Sequence, residues 1–188
     1  MIFDRALSIE HARGVLDELR PLLTAKRFHA RGLTQDGDRV TQWHVEVDRP
    51  ARSWFLSSEN GTTYEVRDGM ATLGNEKPRR VSDLSEGSLG PVVLAFPERL
   101  LVWGERPTHY RPVLVQRIGQ HSILITIEHG ADPSMRGTIV VDTRLGLITR
   151  VMNFISRAVV LVDVEIDKPI ERRAPEAFPE PDVIHPDY

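Results

Sequence analysis

Histidine is the side chain best suited to acid–base or metal chemistry near neutral pH, and this chain has seven, at positions 11, 29, 44, 109, 121, 129 and 185. They form no H-E-x-x-H motif and no pair at the i, i+4 spacing of a helical metal site. His44 and Glu46 share one face of a strand, and Glu128-His129 stands at a strand end; either pair would need a third ligand. His44 with Glu46, or His129 with Asp142, are the only pairings that suggest a hidden enzyme. Asp142, Asp163, Glu165 and Asp167 fall at strand edges or on outward faces, where solvated carboxylates are expected. There is no phosphate-cradling glycine loop and no G-x-S-x-G nucleophile elbow. Zero cysteines exclude disulfides, thiolate catalysis and Cys-based metal sites. No catalytic residue, metal ligand or cofactor is therefore assigned, and the chain reads as non-enzymatic.

The charge balance narrows the partners. Twenty-four basic against 27 acidic side chains give −3, which argues against a nucleic-acid face. Arg52-Ser-Trp54-Phe55 is only a weak stacking signature. Lys77, Arg79 and Arg80 form a local basic cluster in a polar loop, expected to be solvated, with a phosphate or headgroup contact as the sharper reading. No stretch approaches the ~20 apolar residues of a membrane-spanning helix. Met1-Ile2-Phe3-Asp4-Arg5 is not followed by a secretory-type apolar run, which predicts a cytoplasmic protein unless a leader has been removed.

The elements that must position any site come in blocks. Behind a possible Ser8 cap, Ile9, Ala12, Val15, Leu16, Leu19, Leu22 and Leu23 recur at helical steps, with Pro21 placed to kink or end the helix. From residue 28 the period falls to two, predicting strands near 28–35, 39–48, 52–58, 62–67 and 70–74. Asp36-Gly37, Asn60-Gly61 and Asp68-Gly69 between them carry hairpin-turn chemistry. The apolar segment from Ser88 to Trp103, divided by Pro97, predicts two short buried helices. A second meander follows, near 111–118, 122–129, 137–142, 147–155 and 158–167, with Val160, Val162, Val164 and Ile166 expected on one face. Five prolines in residues 168–188 predict an extended tail beyond a single domain over 1–167. The fold class is α+β: a curved antiparallel sheet of about ten strands, an unclosed half-barrel, with amphipathic helices over its concave face.

Certain motifs stand in a telling order. They are Arg49-Pro50, then Trp54, then Asp68-Gly69, later Asp142-Thr-Arg-Leu-Gly146, and finally Phe178-Pro179-Glu-Pro181. In that order the chain resembles the bacterial lipoprotein-carrier family, LolA-like, whose relatives include lipid-binding lipoproteins and sigma-regulatory sensors and are usually exported. The resemblance covers roughly residues 8–185. It implies an apolar cavity between half-barrel and helices that accepts acyl chains, and it links Arg49 to opening of the helical cover. On that reading the chain carries a lipid, a lipoprotein acyl chain or another hydrophobic ligand. The candidate lining residues are Trp43, Val45, Trp54, Phe55, Tyr64, Val93, Phe96, Leu101, Trp103, Ile125 and Ile139, together with Leu16 and Leu19. Arg49 or the Lys77/Arg79/Arg80 cluster would meet an anionic headgroup. The alternative is a protein-interaction or sensor module with a filled core, its partner docking on a sheet edge or the tail. An apolar void of ~300 Å³ or more favours the first reading and a packed interior the second.

Overall fold

The computed structural model describes residues 4–80, 86–97, 100, 110–153 and 157–167. All its strands join one antiparallel sheet in the order β1-β8-β9-β10-β11-β12-β2-β3-β4-β5-β6-β7. The amino-terminal meander is β2 (Arg27–Asp36), β3 (Arg39–Asp48), β4 (Ser53–Ser58), β5 (Thr63–Arg67), β6 (Met70–Leu73) and β7 (Arg79–Arg80). The carboxy-terminal meander is β8 (Tyr110–Arg117), β9 (Ser122–His129), β10 (Arg136–Asp142), β11 (Leu147–Asn153) and β12 (Arg157–Ile166). The last strand, β12, pairs with β2, so the two meanders meet at a central seam. The short strand β1 (Arg5–Ala6) covers the far edge of β8. The two end strands, β1 and β7, are not neighbours, so the half-barrel stays unclosed. Twelve twisted strands cannot lie flat, and register shifts in β8, β10 and β12 bend the sheet further.

The strand expectations hold to within about two residues, and the count exceeds ten because of the two-residue strands β1 and β7. Arg79 and Arg80, expected in a loop, pair with Ala71 and Met70. A short, charged edge strand of this kind discourages further pairing.

One face of β12 departs from its expected pattern. Val160 sits opposite Leu33 and Val162 opposite Arg31, but after the shift Ile166 sits opposite buried Phe28. The extra residue at the bulge includes Asp163, at φ 51°. It moves Val164 and Ile166 to the core face and leaves Val160 and Val162 on the other. Asp163 accepts a hydrogen bond from Arg31 Nε at 2.6 Å, fixing the bulge to the neighbouring strand.

The helix α1 (Ile9–Leu19) starts where Ser8 Oγ accepts from the His11 amide, and a 3₁₀ turn, η1 (Arg20–Leu22), takes over at Pro21. It buries Ala12, Val15 and Leu19 and packs against β8. The second apolar segment is not α-helical. Glu86–Ala95 forms 3₁₀ turns (η2), broken at Gly90 with φ 45° and ψ −137°, a conformation suited to glycine. Pro91 follows, lacking an amide hydrogen, and the run Val92-Val93-Leu94 has no polar face that would favour an α-helix lying on a surface. Of the second expected helix, residues 98–99 and 101–103 lie outside the described residues. η2 lies across β11, β12, β2 and β3, over the seam. There Pro91 occupies the space a side chain at Gly32 would need, and Val92, Leu94 and Ala95 are almost wholly buried.

Candidate functional site

Most of the expected lining residues are brought together, and they make the core. Val45, Ile125 and Ile139 are fully buried and Trp54 is 5% exposed. Trp43, Tyr64, Val93 and Phe96 are half-buried against the same cluster. Trp43 donates from Nε1 to Thr34 Oγ1 at 2.8 Å, and its ring lies 6.0 Å from that of Tyr64. Phe55 stands apart. It pairs with Glu46 and Glu65 while Trp54 pairs with Val47 and Val66, so strand alternation turns it to the opposite face of the sheet. Leu101 and Trp103 lie outside the described residues, as does the side chain of Leu16; Leu19 is fully buried beneath α1.

Arg49 faces main-chain oxygens. Its Nη1 donates to the carbonyls of Leu23 at 2.9 Å and Ala25 at 3.1 Å, and its own amide donates to Lys26. One guanidinium thus holds the connection between η1 and β2. The same connection is held from the other side, where Ala25 N donates to Gly146 O at 3.0 Å in the β10–β11 turn. That turn is fixed by Asp142, whose Oδ1 accepts from the amides of Arg144 and Leu145.

Against these fastened segments lies a cleft of about 570 Å³. One wall is the end of α1 with η1, contributing Glu18, Pro21 and Leu22. The other is the end of the β8–β9 hairpin and the neighbouring turn, contributing Arg117, Gln120, His121, Ser122, Ile123 and Thr143. Ile123 is buried in the core and Leu22 packs against it, so the apolar floor continues into the interior, whereas Glu18, Arg117 and His121 stand exposed at the rim. None of the expected lining residues borders it. The cleft exists because α1 docks on β8, a contact between residues a hundred positions apart, and the only local signal was the turn at Gly119-Gln120. Lys77, Arg79 and Arg80 are at the opposite end of the strand order from this cleft, and Arg79 pairs with Glu76 at 2.8 Å.

The chemical candidates are engaged otherwise. His44 Nε2 lies 2.9 Å from Oε1 of Glu46, which is buried on the face away from the core, and the His29 ring meets His44 edge-on at 6.3 Å. Glu128, also buried on that face, accepts from Arg136 at 3.0 Å and from Arg111 at 3.5 Å. His129 packs against Tyr110 at 5.1 Å between ring centroids, and burial raises the pKa of the Tyr110 hydroxyl. Asp132 turns the β9–β10 loop, and its pKa is lowered chiefly by the hydroxyl and then the amide of Ser134. Among the described residues no group of three or more His, Asp or Glu side chains is placed to hold a metal ion. Among them, too, no helix is long and apolar enough to cross a membrane.

No protein-family model and no curated protein matches the chain. Among solved structures it is similar to a chain of the MucA/MucB complex of Pseudomonas aeruginosa, with a TM-score of 0.48 and 13% identity. The match covers 86% of this chain and 59% of that one, so this chain spans about three-fifths of the length of its neighbour. A likeness at that level carries no residue role, ligand or partner across.

Proposed function

We propose that this chain is a non-enzymatic binding protein of lipoprotein-carrier type that seats a hydrophobic ligand, an acyl chain or a comparable apolar group, against the sheet at the end of α1. The observation that carries this reading is the cleft. Its volume of about 570 Å³ is within the range of small-molecule sites, and its apolar floor of Leu22 and Ile123 joins the core. Each methylene buried there contributes about 0.8 kcal/mol before ordering costs. A thermal-shift and native mass-spectrometry series with saturated fatty acids and phospholipids tests it. The expected result is a bound ligand and a raised Tm that Leu22→Glu abolishes; no adduct and no stabilisation by any chain length would overturn it.

A second reading has its own observation. Beneath η2 the interior is filled by the chain's own side chains, with Pro91 seated on Gly32, and a filled half-barrel fits a protein-interaction module. On that reading the ligand series is silent, and a protein partner protects sheet-edge amides from hydrogen exchange.

A further inference from the structure

The face of the sheet turned away from the core carries a row of its own. Val160 lies opposite Leu33 on one side and Arg150 on the other, Arg150 lies opposite Val140, and Val140 opposite Leu124. Directly opposite residues share a face, and the strand neighbours Ile125, Ile139 and Leu161 are buried on the core side. The row Leu124, Val140, Arg150, Val160 and Leu33 therefore crosses five strands, about 19 Å at the usual strand spacing. Met152, 44% exposed, extends it along β11. The four aliphatic side chains are half-buried and Arg150 is exposed. Among the described residues the Arg150 side chain has no ion pair or hydrogen bond. α1 and η2 lie on the core side and do not cover the row.

The outer face of a bent sheet is convex, whereas small-molecule sites are concave, so the cover this row fits is another stretch of polypeptide. One leaves the sheet beside it. β12 contributes Val160 and ends where the Asp167 amide donates to Arg27 O at 2.9 Å; residues 168–188 lie outside the described residues. Their sequence has two charge regimes. Residues 168–173 hold Lys168, Arg172 and Arg173 against Glu171, whereas residues 174–188 hold Glu176, Glu180, Asp182 and Asp187 with no lysine or arginine. The outer face has the matching order. Glu165 and Asp163, the latter paired with Arg31, stand nearest the end of β12, and Arg150 stands further back beside Val160. Phe178 sits between Glu176 and Glu180, 11 residues beyond Asp167. That is a reach of about 34 Å for an extended proline-rich chain, against about 20 Å back along β12 to Val160. Five prolines deprive the segment of ladder donors, which unfits it for a sheet edge but not for a sheet face.

We propose that residues 176–184 of the chain's own carboxy-terminal segment cover this row, with Phe178 on Val140 and Val160 and a flanking glutamate at Arg150. The contact is separate from the cleft, and its test is independent of any ligand.

The chain has no cysteine, so Ala177→Cys in the full chain carries a single nitroxide, read as paramagnetic broadening of methyl NMR signals. Val140 and Val160 should lose most of their intensity. Ile139, Val141 and Leu161, adjacent in the same strands but on the core face, should lose several-fold less. Mixing spin-labelled protein without isotope and isotope-labelled protein without the spin should leave the signals intact. Arg150→Glu should cut the broadening at least twofold while core-face methyl shifts stay unchanged, which checks the fold. Glu176→Lys with Glu180→Lys should restore it in R150E. Equal broadening on both faces, a loss centred on Leu22 and Ile123 or on β6 and β7, or no loss at all overturns the proposal. So does broadening in the mixed sample, which assigns the face to a second copy, and so does a pattern that R150E leaves unchanged.

Discussion

Replacing Gly32 by alanine tests how tightly η2 plugs the sheet. A Cβ at this position would stand 2.6 Å from Pro91 Cγ, 2.8 Å from Pro91 Cβ and 3.0 Å from Val45 Cγ2, whereas unstrained carbon pairs sit about 3.5–4.0 Å apart. In an open strand the change would help, because alanine is favoured over glycine by about 0.5–1 kcal/mol. Overpacking of a filled core opposes it at about 1–3 kcal/mol. Lifting η2 away is no cheaper, since re-exposing Val92 or Leu94, each at most 1% exposed, costs about 1.5–3 kcal/mol apiece. The expected outcome is a net loss of about 1–2 kcal/mol, equivalent to a Tm lower by roughly 2–8 °C for a chain of this size. Urea unfolding followed by tryptophan fluorescence reads it. A cycle with Pro91→Gly isolates the contact, because the glycine removes both clashing ring atoms and should cut the cost of G32A by 1 kcal/mol or more. An alanine variant at least as stable as the parent, or a cost unchanged when Pro91 is glycine, would refute a filled interior at this point.

Arg49→Ala should lower stability by about 1–3 kcal/mol, since it strips both donors from the Leu23 and Ala25 carbonyls. Arg49→Lys should recover part, and an unchanged urea midpoint in R49A would show that water replaces the guanidinium at no cost. Ser134→Ala removes the larger of the causes that depress Asp132 and should raise its titration toward the ordinary 3.8, followed by carboxyl NMR shifts. Because the folded-state pKa is lowered, the loop gains its support above the unfolded value and loses it as pH falls through the folded one, so the parent loop should loosen in acid at lower pH than S134A. Coincident titration curves for the two proteins would count against it.

The meanders were legible because their signals are local. Alternation such as Trp43, Val45 and Val47 against His44, Glu46 and Asp48 reports a half-buried strand directly, and Asp68-Gly69, with both residues at positive φ, closes a tight hairpin. Phe55 was within reach of the same rule, since it follows Trp54 and must face the other way. The bulge at Asp163 was not, because nothing in a run of valines marks where one extra residue enters. The segment from Ser88, with that serine as a cap and Pro97 as divider, predicts a helix where η2 stands, although Gly90-Pro91 argues against regular hydrogen bonding. The seam between β12 and β2 and the partners of Arg49 are long-range contacts that no local spacing encodes. The cleft is of the same kind. Leu22 belongs to a readable helix and Ile123 to a readable strand, but their meeting depends on where α1 docks.

The two covers of the sheet are held by unequal means, and this bears on where a ligand can enter. η2 commits Pro91, Val92, Leu94 and Ala95 to the core across four strands and is locked sterically at Gly32. Withdrawing it would expose several fully buried side chains and re-form water contacts for a kinked segment with little helical structure of its own. α1 is a short helix of 11 residues that would be marginal in isolation. It commits Ala12, Val15 and Leu19 mainly against one strand near the edge of the sheet. An apolar ligand that replaced Val15 and Leu19 against β8 would return much of the area that their displacement exposes. On the proposed hydrophobic-ligand reading, a ligand too large for the existing cleft would be accommodated at lowest cost by movement of α1. The Arg49 contacts to Leu23 and Ala25 would then serve as the fixed end of that movement, anchoring the chain where it enters β2.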